Sequence, residues 1–408
     1  MLWFPVILAY FPFVGPFPGI DLQPFFFLVA SLVFILCIKH FQYSVEIIVV
    51  FLISTICILL RYLLYLESVD LKFLITYLCA ILTMVFFYGL YGSNYVGLTK
   101  KTIVVVSLAY ASVGAVQLVV PDFMATVVHR SVEAALSYST TGRGVRSLTG
   151  EPAALGKMFT TLNVLYVFVA ICRFPKTAKL ELLLVSFLFF IVSLVLARSA
   201  YALAIHLLLI FVLWSVLDFK TFILAAIITA GGVAVAGTLV LTFAEELEGV
   251  RAATLAVALF SNPEIILSQG AMRRVMNIPI TITNLKYFGF AGSGNSQEYF
   301  SSSVWTPFGP LYYEAGSRAL GGFIEFLLRF GVFGFPIFTL YLYFLCNVFR
   351  GVWVVGNKSI KIGLYLGMAV ILLSMQDSSP ALPLSLMFLL AAYRRVKINT
   401  ILNESRLG

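Results

Sequence analysis

Charge is what this chain has least of. Only 11% of its 408 residues are Asp, Glu, Lys or Arg, against about 25% in an ordinary soluble domain, and a surface that poor in charge is not held in water. Soluble enzymes, nucleic-acid binders, disordered chains and secreted disulfide scaffolds are excluded on that ground. Cysteine is scarce too: Cys37, Cys57, Cys79, Cys172 and Cys346 all lie in or at the end of apolar runs, so neither a disulfide framework nor a metal cluster is expected. The chain has no Asp-x-Asp pair and no His/Cys cluster, which argues against a metal-dependent nucleotide-sugar transferase. It also lacks a Walker-type glycine loop, which removes ATP-driven transport. No cofactor is expected.

What is present is apolar: 61% of the residues are hydrophobic and the mean hydropathy is +1.02. At about 20 residues per crossing, the pattern predicts about twelve spans, at 2–14, 22–38, 44–62, 72–91, 102–120, 157–172, 180–197, 199–217, 221–243, 320–348, 361–376 and 381–393. The runs do not alternate as barrel strands do, so the expected fold is an all-α polytopic membrane protein, one transmembrane domain over 1–408. The first span is short and interrupted by proline. No basic region precedes it and no small-residue cleavage site follows, so it reads as a retained span, not a signal peptide. The stretch 180–217 is one apolar run broken only by Arg198.

The short loops carry the basic residues Lys39, Lys100, Lys101, Arg173, Lys176, Lys179, Lys220, Arg350, Lys358, Lys361, Arg394, Arg395 and Lys397, all on one side of this count. The positive-inside rule makes that side the cytoplasm and places both termini there. Two long external loops remain, 121–156 and 244–319. The second contains two segments with apolar residues at helical spacing, 245–260 and 262–276, expected as amphipathic helices on the membrane surface.

The external arginines are the chemistry-bearing feature. Arg143 and Arg146 stand three apart in TTGRGVRSLTGEPAALG (140–156), among Gly142, Gly144 and Gly150 and ahead of Glu151-Pro152, as backbone shaped around an anion would have them. Arg273 and Arg274 are adjacent in the second loop. Arg198 between two apolar runs is costly unless paired or used. Arginine is the always-charged, fork-shaped donor suited to phosphate. Arg130, Arg251 and Arg318 read more simply as solvated or snorkelling, and His206, inside an apolar span, as a hydrogen-bonded interior residue. The glycines Gly289, Gly292 and Gly294 suit a flexible turn equally well.

With these residues in view, the chain resembles the bacterial O-antigen polymerases of the Wzy type, within the O-antigen ligase and polymerase superfamily. Four features carry the likeness: a dozen spans with two dominant loops; GRGVRSLTGEP before a span; LARSAYALA (196–204), similar to the family's Ser-Arg-type helix start; and FGFAGSGN leading to EAGSRALGGFIEFLLRFGVFGFP (314–336). One departure is that residues 244–319 contain no histidine, which the family ligases commonly carry in the large loop.

The resemblance implies a GT-C-like fold in the bacterial inner membrane. It implies an enzyme that moves a growing polysaccharide from undecaprenyl pyrophosphate to a lipid-linked repeat unit on the periplasmic side, with a polysaccharide chain-length regulator as a further partner. A pyrophosphate leaving without a metal needs several preorganised cations, here Arg143, Arg146, Arg198, Arg273 and Arg274. The acceptor hydroxyl needs a base. Glu151 is the first candidate and His129 the second, with Glu298 or Glu314 in the second loop as further alternatives. Tyr201, Gly292, Gly294 and Arg318 are the implied substrate contacts. A ligase using the same donor, or a flippase for lipid-linked oligosaccharide, is the competing expectation.

Overall fold

The computed structural model describes residues 2–15, 23–64, 71–93, 98–124, 144–173, 179–215, 291–292, 303–306, 309–312, 327, 330–354 and 383–394. In chain order the helices are α1 (Trp3–Tyr10), α2 (Phe25–Leu36), α3 (Val45–Leu64), α4 (Leu71–Ser93), α5 (Lys100–Val119), α6 (Pro152–Arg173), α7 (Lys179–Val192), α8 (Ala200–Ser215), α9 (Phe335–Val354) and α10 (Pro383–Arg394). Among the described residues, five helices are long and apolar enough to cross a bilayer. The protein is therefore an α-helical, multi-pass membrane protein.

Burial sorts these helices into an inside and an outside. The apolar window of α6 is 83% buried, whereas those of α3 and α5 are 28% buried. The outward faces of the latter are Val, Leu and Ile, with Val45, Leu63 and Val119 more than two-thirds exposed, as a lipid-facing surface requires. Every residue from Pro383 to Tyr393 of α10 is buried, and a helix apolar all round belongs in an interior. It lies between α6, through Phe168 and Phe388, and the α4–α9 side, through Tyr88, Phe344 and Tyr393. A second layer, α5 with α7 and α8, closes on α6.

Hydroxyl groups follow the rule for hydrocarbon, where water is absent. Ser31, Ser54, Thr55, Thr83, Ser107, Thr160, Thr161 and Thr339 each donate to the carbonyl four residues earlier at 2.7–2.9 Å. At one end of the bundle Lys100 Nζ lies 2.7 Å from Glu181 Oε1, and Tyr166 donates to the same oxygen, tying α5, α6 and α7 together.

Some boundaries differ from expectation. Helix α1 ends at Tyr10, because Pro12 cannot continue it. Helix α2 has 12 residues, about 18 Å of rise, and packs on α1. Helix α6 starts at Pro152 rather than 157. Where a helix was placed over 320–348, a 3₁₀ turn (Gly331–Gly334) leads into α9, which runs on to Val354. A two-stranded antiparallel hairpin, β1 (Ser303–Thr306) with β2 (Gly309–Tyr312), pairs Val304 with Leu311 and Trp305 with Pro310, a local exception to the all-α expectation. The spans at 221–243 and 361–376 and the amphipathic segments 245–260 and 262–276 lie outside the described residues.

Candidate functional site

The end of the first long loop is not a solvated surface segment: residues 145–149 are all buried. Three backbone features bend the segment into the bundle. Gly144 sits at φ +90°, and a Cβ there would be 2.3 Å from the Leu196 carbonyl oxygen, so both its conformation and its close approach require glycine. Val145 then donates its N–H to that same Leu196 carbonyl at 2.8 Å. Ser147 takes the left-handed conformation at φ 51° without being glycine, a cost that surrounding contacts must cover.

Those contacts come from α5. The Gln117 side chain, 1% exposed, receives the Ser147 N–H at 2.7 Å on Oε1, while its Nε2 donates to Phe123 O at 2.8 Å and reaches Ser147 O at 3.3 Å. Ser147 Oγ donates to Tyr110 O at 2.6 Å. Gly114 of α5 leaves room for Leu196, Val145 and Ser147, and Gly156 of α6 for Ser199 and Ala202. Thr149 finishes the turn: its N–H donates to Arg146 O, and its hydroxyl lies 2.6 Å from that carbonyl and 2.8 Å from Glu151 O. Glu151 then sits directly ahead of Pro152, the first residue of α6, where proline's fixed φ and missing N–H are tolerated and a carboxylate is favoured by the helix dipole. Its backbone carbonyl accepts Leu155 N–H.

The break between α7 and α8 is built differently. Residues Ser193–Ala197 form a π-turn, Arg198 N–H reaches back to Ser193 O at 3.0 Å, and Arg198 itself is left-handed at φ 48°, ψ 31°. The interruption leaves the Leu196 carbonyl available to Val145. Arg198 is half-buried and Arg146 only 2% exposed. The two arginine-bearing elements GRGVRSLTGEP and LARSAYALA therefore meet, joined by a backbone hydrogen bond, with Glu151 in the same segment. Together they can supply a buried guanidinium, a second one at a helix break and a carboxylate.

Other expected site residues fare differently. Gly292 is placed, buried, at φ +73°. Tyr201 lies in the first turn of α8. His129, Arg143, Arg273, Arg274, Gly294 and Arg318 lie outside the described residues. Two residues were missed. Arg61 in α3 is 5% exposed and donates to the carbonyls of Ala291 and Gly292, holding part of the FGFAGSGN stretch. Gln117 is the clamp just described. Each is a strongly polar side chain inside an apolar run, the signal by which Arg198 was noticed. A scan against protein-family models and a search of curated proteins both find no match for this chain.

Proposed function

We propose that this protein is a metal-independent glycosyltransferase of the O-antigen polymerase type. It would transfer a growing polysaccharide from undecaprenyl pyrophosphate to a lipid-linked repeat unit on the periplasmic side of the bacterial inner membrane. The observation that carries the reading is the direct junction of the two arginine elements, Val145 N–H to Leu196 O at 2.8 Å, which sets Arg146 and Arg198 in one part of the bundle beside Glu151. A pyrophosphate leaving group needs preorganised donors, and guanidinium groups suit it. Glu151 serves as base toward the acceptor hydroxyl, with His129 second. Arg143, Arg273 and Arg274 complete the cationic set, and Tyr201, Gly292, Gly294 and Arg318 contact the sugars. The topology that goes with this reading has twelve spans, loops 121–156 and 244–319 in the periplasm and both termini in the cytoplasm.

The deciding experiment is the lipopolysaccharide ladder of a deletion strain. One repeat per core is the result expected. Absence of any repeat with long lipid-linked polymer accumulating would make the protein a ligase, and absence of periplasmic lipid-linked repeats would make it a flippase.

Topology provides an independent prediction from the basic short loops. Reporter fusions after Lys101, Lys179, Lys220 and Lys361 should read cytoplasm, and fusions near Arg143 and Gly294 periplasm. A cytoplasmic signal at either of the last two would separate the arginines from the donor's compartment and end the enzyme reading.

A further inference from the structure

Beneath the break between α7 and α8 lies a polar network with no part in the chemistry above. His206 of α8 is fully buried, its ring stacked on Phe189. Its Nε2 is 2.9 Å from Ser193 Oγ and 3.5 Å from Thr160 Oγ1, and its Nδ1 is 3.0 Å from Asn163 Nδ2. Ser186 Oγ donates to Asn163 Oδ1 at 3.1 Å. All five side chains are 0% exposed. The proton inventory follows. Asn163 uses its carbonyl for Ser186, so its amide donates to Nδ1. Thr160 gives its own hydroxyl proton to Gly156 O at 2.8 Å and is left only as an acceptor. The ring proton is therefore on Nε2, pointing to Ser193.

Ser193 is the first residue of the π-turn, and its carbonyl is the one that receives Arg198 N–H. Where eight helix hydroxyls bond their own helix four residues back, Ser193 Oγ, like Ser186 Oγ, bonds across to a neighbouring helix, here α8. A π-turn is a rare insertion that needs outside support and recurs at functional sites. Here it is what turns Arg198 left-handed and presents Leu196 O to Val145.

We infer that His206 is a positioning residue: through Ser193 it holds the π-turn, and through the π-turn it sets both Arg198 and the docked segment 144–151. Its effect on polymer formation rests on the function proposed above; its effect on backbone order does not.

The test measures hydrogen exchange of the full-length protein in lipid nanodiscs alongside complementation. His206→Leu should raise exchange in the peptide covering 144–151 by about tenfold, the size of one lost hydrogen bond, while the peptide covering α3 stays unchanged. His206→Gln, which places an amide where Nε2 sits, should restore protection; His206→Asn, which is too short, should not. Polymer yield should fall by about 10²-fold in the Leu and Asn variants, as for small misplacements of catalytic groups, and recover in the Gln variant. Ser193→Ala removes only the hydroxyl and should reproduce the Leu result even where His206→Leu fails to accumulate. Unchanged exchange at 144–151 in Ser193→Ala, or equal exchange in the Gln and Asn variants, overturns the inference. The expected exchange pattern in a protein whose parent form makes no polymer would leave the positioning role standing and overturn the proposed function.

Discussion

Arg146→Lys should abolish polymer formation almost as completely as Arg146→Ala. Arg146 is 2% exposed, and the backbone that carries it is fixed on both sides, by Val145 N–H to Leu196 O and by Ser147 to Gln117. Lysine keeps the charge and the stem but loses the planar fork that engages two phosphate oxygens at once. The loss of one preorganised donor costs about 10²–10³ in rate. Arg251, read as solvated, should tolerate both changes. The measurement is polymer ladder in a polymerase-deficient strain, normalised to membrane level of each variant. Normal ladders from Arg146→Lys and Arg146→Ala would mean that the buried guanidinium has no role toward the leaving group.

Glu151→Gln should leave the protein at normal membrane level and stop polymer growth, with a rate loss of about 10²–10⁴ for the missing base. The substitution is isosteric, and what the fold uses at this position is the backbone carbonyl, which accepts Leu155 N–H and faces the Thr149 hydroxyl. Losing the carboxylate from a helix start costs about 0.3–1 kcal/mol, too little to explain lost activity by unfolding. The ladder in Glu151→Gln cells, beside lipid-donor binding by the purified variant, checks this. Full activity would move the base to His129 or to Glu298 or Glu314.

Local features of the sequence were the readable ones. Helix α3 was expected at 44–62 and runs Val45–Leu64, and α5 was expected at 102–120 and runs Lys100–Val119, because an uninterrupted apolar run in lipid has almost no alternative to a helix. The break at Arg198 was legible for the same reason, a charge being expensive in such a run. The beginning of α6 was misjudged because Gly156 and Lys157 lower the hydropathy of its first turns, although Pro152 after Glu151 is a start signal. What stayed hidden was pairing at a distance. Residues 144–150 have the composition of an external loop, and their burial goes with bonds to Gln117, 30 residues away from Ser147, and to Leu196, about fifty residues beyond Val145. No periodicity records such partners. The same holds for Arg61, whose partners, Ala291 and Gly292, are some 230 residues downstream.

The Val145–Leu196 hydrogen bond also dictates an order of biogenesis. The carbonyl that receives Val145 does not exist until the ribosome has passed residue 196, and at roughly 5–20 residues per second that is several seconds after Val145 is made. During this interval α5 and the early turns of α6 can enter the membrane, but Gly144 has no oxygen to dock against. The segment can dock only after the nascent chain has passed Leu196, so the junction of 144–150 with the break between α7 and α8 is among the later contacts of this part of the protein to form.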